Sequence, residues 1–133
     1  MAEDCVREIL FRGKREDNGK WVYGNLLQHP NGQCFVLVEI GGFKVFSVIP
    51  FTVGQYTGLC DKNGNKIFEG DVVAYRKYGN LAVVWDDGAF QFMRKKAFYD
   101  LFYDLLEDIN PSGCEVIGNR WDNPELLEEK SDG

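Results

Sequence analysis

The sequence lacks the residue groupings on which most catalytic sites are built. It contains a single histidine, His29, in a loop beside a proline. It has no phosphate-binding glycine loop, no HExxH motif and no serine or cysteine arrangement typical of nucleophilic catalysis. A lone loop histidine is far more often a polar surface residue than a general base. We therefore expect no enzymatic activity, no catalytic residues and no cofactor.

Paired cysteines are also missing. The four cysteines, Cys5, Cys34, Cys60 and Cys114, are far apart in the sequence and form no CxxC pair. Structural zinc sites usually draw on closely spaced pairs, so this spacing predicts reduced thiols and no metal. A zinc site assembled in space from Cys34, Cys60, Cys114 and His29 is the alternative that the spacing leaves open.

No apolar run approaches the length that crosses a bilayer. The N-terminus has acidic residues where a secretory signal would have basic ones. The chain of 133 residues is 44% hydrophobic and 14% aromatic, which indicates one folded domain with a bulky core. We expect a soluble cytoplasmic protein that makes no membrane contact.

Negative charge dominates, but it is unevenly distributed. The net charge is −6 at pH 7, and residues 97–133 carry ten acidic and only two basic side chains. Residues 76–96 instead carry five basic and two acidic side chains. The bases of this strip are Arg76, Lys77, Arg94, Lys95 and Lys96.

The basic strip has two interpretations. Nucleic-acid affinity rests largely on the neutralisation of phosphates, so the overall charge predicts weak binding at most. The strip, with Tyr75, Tyr78 and Phe92 as stacking partners, is the candidate nucleic-acid site. The plainer interpretation is a solvated hairpin edge that its lysines keep soluble.

A central hairpin organises the chain. The turn Asp61–Lys66 contains Asn-Gly, a strong hairpin signal, between two apolar segments. Glu69-Gly70-Asp71 then predicts a bulge or bend before the next β-rich run. Asp61, Asn63 and Asn65 match the start of a calcium loop, but its sixth and twelfth positions hold Lys66 and Val72 instead of Gly and Glu. We interpret the turn as structural.

Further strand and turn signals surround this hairpin. Alternating or β-branched runs, bounded by Gly, Pro, Asn and Asp, predict strands on both sides. The predicted strands are Val6–Arg12, Trp21–Leu27, Cys34–Ile40, Phe43–Ile49, Leu81–Trp85, Ala89–Met93 and Glu115–Asn119. Gly13–Gly19 is predicted as the first turn, and Asp86-Asp87-Gly88 as a later one.

The pattern changes period after the last hairpin. Apolar residues three or four apart predict an amphipathic helix over about residues 95–108. Asn123-Pro124-Glu125 predicts a second, short helix with Asn as its cap, followed by a frayed tail. We expect one core containing Ile67, Val72, Val83, Trp85, Phe90 and Ile117. The helix should cover its open side with Phe98, Leu101 and Phe102.

Three segments, GQYTGLCDKNGNKIFEGDVV, VVWDDGAF and EVIGNRWDNPELL, resemble the signature of the YopX-like family. REILFRG and NGKWVYGNLL resemble the opening of that family, although Gly13–Arg15 departs from its Ala-Trp-Asp. The family consists of small proteins encoded mostly by bacteriophages and prophages. The resemblance covers nearly the whole chain and carries over no catalytic residues.

The resemblance implies a mainly β fold, β-rich α+β, with an SH3-like small barrel. It assigns one YopX-like domain to residues 1–133, with N-terminal hairpins over 1–51, the barrel over 52–122 and a short helix and tail over 123–133. It also implies a bacterial host cell as the location. The function expected is that of an uncharacterised accessory protein, a non-catalytic interaction module with an unknown host or phage protein as its partner.

Open sheet edges predict association. So many strands in a short chain cannot all be central, and an unpaired edge must be covered or paired. Residues 34–49 are β-rich and contain only Glu39 and Lys44 to discourage pairing. We expect self-association through this region, first as a symmetric dimer. The alternative is that this hairpin folds back onto its own barrel and the protein is a monomer.

Overall fold

The computed structural model describes residues 7–76, 78–93 and 113–128. Within these ranges the fold is mainly β, as predicted, with ten strands and two short 3-10 turns. The chain divides into two compact units, residues 1–58 and 59–133. No helix in the described ranges is long and apolar enough to cross a membrane.

The first unit is an antiparallel sheet in the order β4-β3-β2-β1-β5. The strands are β1 Phe11–Lys14, β2 Trp21–Gln28, β3 Cys34–Glu39, β4 Phe43–Val48 and β5 Gly54–Cys60. A 3-10 turn, Pro50–Thr52, joins β4 to β5. β5 runs across the boundary of the unit, and its first two residues pair with β1.

The core of the first unit follows from the alternation of side chains along these strands. Register pairs Leu26 with Val36 and Cys34 with Val48, so these side chains share the inner face. Cys34, Val36 and Val48 are buried there. The backbone of β3 comes close to Gly24 of β2, where a Cβ atom would overlap the carbonyl of Leu37.

The first strand differs from its predicted position. It begins at Phe11 and runs through Gly13 and Lys14, which were predicted to lie in the turn. Gly13 suits a strand here because a Cβ atom on it would lie only 2.9 Å from Val48. The turn starts later and is closed by a bond from the N–H of Gly19 to the carbonyl of Arg15 at 3.0 Å.

The second unit contains an antiparallel sheet in the order β10-β7-β8-β9. The strands of this unit are β6 Lys66–Phe68, β7 Asp71–Tyr75, β8 Gly79–Asp86, β9 Ala89–Met93 and β10 Cys114–Asn119. The turns at residues 61–66 and 86–88 were both predicted. So was the interruption at Gly70, which separates β6 from β7 with a φ of 93°.

The core of the second unit confirms half of the predicted core residues. Ile67, Val72 and Val83 are fully or almost fully buried, together with Val73, Leu81 and Cys114. Phe90 is only partly buried. Four further side chains, Tyr75, Tyr78, Phe92 and Val116, pack against the cluster formed by Ile67, Val73, Leu81, Val83 and Cys114.

The prediction that Trp85 and Ile117 lie in the core is wrong. Trp85 is 54% exposed because the β8–β9 hairpin extends beyond the last β7 pairing, at Ala82. Its ring packs edge-on against Phe90 across the hairpin, with centroids 4.8 Å apart. Ile117 is 37% exposed because it lies at a register shift in β10, between Val116 and Gly118.

The described residues do not form the closed barrel that the resemblance implied. The four-stranded sheet ends in β10 on one side and β9 on the other, with no described pairing between them. The helix predicted over residues 95–108 lies outside the described residues, with Phe98, Leu101 and Phe102. The short C-terminal helix is a 3-10 turn, Pro124–Leu127, which Asn123 does not cap with its side chain.

Candidate interaction surface

β4 lies at the edge of the first unit's sheet and exposes apolar side chains along its first half. Phe43 is 68% exposed and Val45 is 54% exposed. Ile40, in the preceding turn, is also exposed. We call Phe43–Val45 the open segment of β4. It falls within the region 34–49 that the sequence indicated as the best candidate for an edge.

The outer face of the sheet extends this apolar surface. Register aligns Asn25, Leu37 and Val45 in one row across β2, β3 and β4. The neighbouring row contains Leu27 and Phe35, and Leu27 is exposed. An exposed strand edge therefore borders an exposed, largely apolar face.

The second half of β4 is closed by the end of β1. The N–H of Ile49 donates to the carbonyl of Lys14 at 2.8 Å, and the N–H of Glu16 donates to the carbonyl of Ser47 at 3.1 Å. Arg15 forms the bridge between them, opposite Val48. The predicted fold-back of this hairpin is thus present, but only at one end of β4.

A threonine fixes this closure. The Oγ1 of Thr52 accepts a bond from the N–H of Lys14 at 3.0 Å and donates to the carbonyl of Ile49 at 2.6 Å. Thr52 is buried, so both bonds are shielded from water. This side chain therefore adds to the backbone bonds that join the end of β1 to the end of β4.

The bonds between the ends of β1 and β4 also show which backbone groups of the open segment point away from β3. Ser47 and Ile49 direct bonds away from β3, towards β1. Because outward groups recur at every second residue of a strand, those of Phe43 and Val45 point the same way. Neither residue has a partner on that side within the described part of the chain. These groups are available to another strand.

A shallow groove of about 510 Å³ adjoins the open segment. It is lined by Arg15, Glu16, Asp17, Val45, Phe46 and Ser47. The guanidinium of Arg15 lies 4.4 Å from the ring centre of Phe46 and bonds to the Asp17 carboxylate. That bond lowers the pKa of Asp17 below its ordinary value. The groove therefore offers both a stacked cation and carboxylates beside the strand edge.

The β10 edge of the second unit is closed by Asp61. Its Oδ2 accepts from the N–H of Val116 in β10 at 2.9 Å, and its Oδ1 accepts from Asn63 and Asn65 at 2.9 and 2.8 Å. The N–H of Lys62 donates to the carbonyl of Cys114 at 2.9 Å. The turn thus binds the outer edge of β10, which supports its interpretation as structural.

The ionisation of Asp61 reflects these bonds. Burial acts to raise the pKa of this carboxyl, but the backbone N–H groups of Val116, Asn65 and Asn63 stabilise the charged form and bring the pKa below its ordinary value. The described residues contain no group of three or more His, Cys, Asp or Glu side chains that could hold a metal ion.

Two distant signature segments meet at Gly70. A Cβ atom on Gly70 would overlap the ring of Trp121, and its carbonyl accepts from the N–H of Arg120 at 2.9 Å. Asn123 accepts from the N–H of Asn119 at 3.1 Å and closes the end of β10. Neither contact was predicted, because no local sequence pattern links Gly70 to Trp121 or Asn119 to Asn123.

The cysteines and His29 form no common site in the described residues. Cys34 and Cys114 are both buried thiols that form no disulfide. Burial, with the nearby charge of Asp61, raises the pKa of Cys114 to about 11. Cys60 is an exposed thiol, and His29 packs edge-on against Phe35.

Only Arg76 of the predicted basic strip lies among the described residues; Lys77, Arg94, Lys95 and Lys96 do not. Arg76 is exposed and borders a cleft of about 740 Å³. The cleft is lined by Lys62, Ala74, Tyr75, Arg76, Gly113 and Glu115.

The aromatic residues proposed for stacking have structural contacts. Tyr75 stacks on Tyr78 with ring centres 5.8 Å apart, and both pack with Phe92 against the core of the second unit. Lys62 is 3.5 Å from the carboxylate of Glu115. The cleft therefore places the exposed Arg76 near the ion pair of Lys62 and Glu115. Tyr75, which also lines the cleft, is half-buried.

The strand order and the turns built from Asp61, Gly70 and Trp121 define a small two-unit β protein whose signature residues are structural. The profile of the YopX protein family matches residues 10–128. The chain therefore belongs to the YopX family, as the resemblance indicated.

One similar solved structure is the crystal structure of protein EF1440 from Enterococcus faecalis. It is 26% identical in sequence and has a TM-score of 0.60, covering 92% of this chain and 100% of the other. No curated protein matches the chain.

Proposed function

We propose that this protein is a non-catalytic interaction module that binds a protein partner by adding a strand to β4. The observation that carries the proposal is the open segment Phe43–Val45, where outward backbone groups coincide with exposed apolar side chains. An added strand gains affinity from main-chain hydrogen bonds and specificity from alternate side chains.

The family and its phage connection supply the setting of this proposal. We propose an accessory protein of phage or prophage origin that acts in the cytoplasm of a bacterial cell and binds a host or phage protein there. An SH3-like relationship of residues 52–122 belongs to the same proposal, although the function rests on the open segment and not on the fold.

Nucleic-acid binding is the second candidate, and the exposed Arg76 at the cleft is the observation in its favour. The net charge of −6 opposes it, because phosphate contacts supply most of such affinity. A mobility shift with DNA and RNA at about 150 mM salt tests it. Submicromolar binding, abolished by changing Arg94, Lys95 and Lys96 to Glu, would favour this candidate over the first.

Affinity capture with a matched variant tests the interaction module. The bait is the full chain, compared with Val45→Lys, which places a charge on the open segment. Phe51→Lys is the control, because Phe51 is exposed in the same unit but lies outside β4. We expect a bacterial protein that is recovered with the wild type and the control and is lost with Val45→Lys. Equal recovery by all three would contradict the proposal.

A further inference from the structure

We propose that a second copy of the chain pairs with the open segment of β4, edge to edge and antiparallel, about a two-fold axis at Lys44. The inference rests on the proposed function and names a partner for the same surface. A strand edge requires another strand, since only extended backbone matches its spaced N–H and C=O groups.

The open segment is complementary to itself. Phe43 and Val45 are the two residues of the open segment with outward backbone groups, and Lys44 lies midway between them. An axis at Lys44 places Phe43 of each copy opposite Val45 of the other. Each Phe43 then donates its N–H to the carbonyl of the opposite Val45 and accepts the N–H of that Val45 in return. The pair also brings an aromatic ring beside a β-branched side chain, which is a favourable cross-strand combination.

The fold-back of β1 limits the register. Moving the axis to Val45 would place the second copy opposite Ser47, whose carbonyl already accepts from the N–H of Glu16. The bridge between Arg15 and Val48 occupies the same side of β4. A register centred on Lys44 uses both open residues and leaves these bonds intact.

Charge permits the contact but limits its strength. The first unit, residues 1–58, carries six acidic and six basic side chains, so two such units approach without net repulsion. The Lys44 side chains of the two copies would lie directly opposite each other, however, and like charges in that position are unfavourable. The structure thus identifies Lys44 as the residue that keeps the dimer weak.

The apolar outer face favours the same partner. Val45 continues a row through Leu37, and Phe43 lies at the exposed end of the strand. Pairing two copies would join these faces into one continuous surface across the axis. Each copy then shields the apolar edge that the other leaves exposed.

Sedimentation equilibrium on the full chain over a range of concentrations tests the proposal. We expect a monomer–dimer equilibrium for the wild type that Phe51→Lys leaves unchanged. Val45→Lys should weaken it by about ten-fold or more, the equivalent of roughly 1.4 kcal/mol. Because both residues are exposed, both variants should fold, and a circular dichroism spectrum verifies this.

Mixing experiments test the register. Lys44→Glu alone should dimerise as weakly as the wild type, since like charges still face each other. An equal mixture of wild type and Lys44→Glu should associate more tightly, by up to about five-fold, which corresponds to the upper range of roughly 1 kcal/mol for a cross-strand pair. A mixture no tighter than its components would overturn the axis at Lys44.

The outcomes separate this inference from the proposed function. A monomer mass at every concentration, or a dimer that tolerates Val45→Lys, overturns the pairing of two copies. If such a monomer still captures a cellular protein that Val45→Lys loses, the interaction module stands and the second copy is not its partner. If neither dimer nor captured protein depends on Val45, both proposals fail.

Discussion

Two strand edges of this protein, that of β4 in the first unit and that of β10 in the second, are covered to different degrees. In the second unit, the turn at Asp61 bonds to Val116 and so covers the outer side of β10. In the first unit, β1 covers β4 only from Ser47 onward, and the open segment Phe43–Val45 remains exposed. An uncovered edge is a liability that proteins usually suppress. The exposure of the open segment is therefore the feature on which the proposed binding role of β4 rests.

Charge follows the same division. The first unit is electrically neutral, whereas residues 59–133 carry fifteen acidic and nine basic side chains and the whole net charge of −6. Net charge of one sign keeps a surface soluble and apart from its copies. The neutral unit is therefore the better suited of the two to self-contact.

The largest effect should come from Gly70→Ala. A Cβ atom at this position overlaps the Trp121 ring, and the φ of 93° is unfavourable for any side chain. We expect a loss of about 3 kcal/mol in the free energy of unfolding, from the strained φ and the overlap together. Urea denaturation measures it. Gly64→Ala is the matched control, since its φ of 82° is similar but a Cβ atom there meets nothing. An equal loss in both variants would contradict the role of Trp121.

Asp61→Asn should destabilise the closed edge next. The substitution removes a buried carboxylate that accepts three backbone N–H bonds, and we expect a loss of about 2 kcal/mol near pH 7. Because the folded pKa of Asp61 is lowered, its stabilisation is present above the unfolded value of about 3.9 and is lost as pH falls through the folded pKa.

The pH profile gives the control for Asp61. Thermal unfolding from pH 7 downward should show a smaller acid-induced loss of stability in Asp61→Asn than in the wild type. Asp17→Asn, at an exposed position, should retain the wild-type profile within error at moderate salt. A profile for Asp61→Asn that parallels the wild type would show that the carboxylate does not stabilise the fold.

Thr52→Val should loosen the closed half of β4. The change keeps the shape of the side chain but removes the bonds to Lys14 and Ile49. We expect a loss of roughly 1–2 kcal/mol. Faster hydrogen exchange at the amides of Lys14 and Ile49 should accompany it. Thr52→Ser, which keeps the hydroxyl, should lie near the wild type, and a Ser variant as unstable as Val would argue for packing instead.

The last prediction concerns the rates at which two cysteines are alkylated, and it involves no substitution. Cys60 is exposed, whereas Cys114 is buried with a pKa raised to about 11. Because the thiolate is the reactive form, iodoacetamide at pH 8 should modify Cys60 long before Cys114. Peptide mass spectrometry follows both sites in one sample. Comparable rates at the two sites would mean that the edge at Asp61 opens readily.

Local signals predicted the strands and turns well because they depend on few residues. Asn-Gly at residues 63 and 64 and Asp-Gly at 87 and 88 form turns, as their backbone preferences require. Gly13 misled the placement of the first turn, since its role depends on Val48 more than thirty residues away. The exposure of Trp85 likewise depends on where β7 stops beside β8.

The candidate surface was predicted by region but not in detail. Residues 34–49 stood out because they combine β-forming side chains with little charge. Which half of β4 stays open depends on two backbone bonds, between Lys14 and Ile49 and between Glu16 and Ser47. No local sequence pattern predicts these bonds. The basic strip could be followed only at Arg76, so the prediction of a nucleic-acid site there stays a prediction.

Amide hydrogen exchange, measured residue by residue at low and high protein concentration, tests the contrast between the two edges most directly. We expect the amides of Phe43 and Val45 to exchange fast in dilute solution and to slow down as the protein concentration rises. The amides of Val116 and Ile49, bonded to Asp61 and Lys14, should stay slow throughout. Protection of Phe43 and Val45 that is independent of concentration, or fast exchange at Val116, would contradict it.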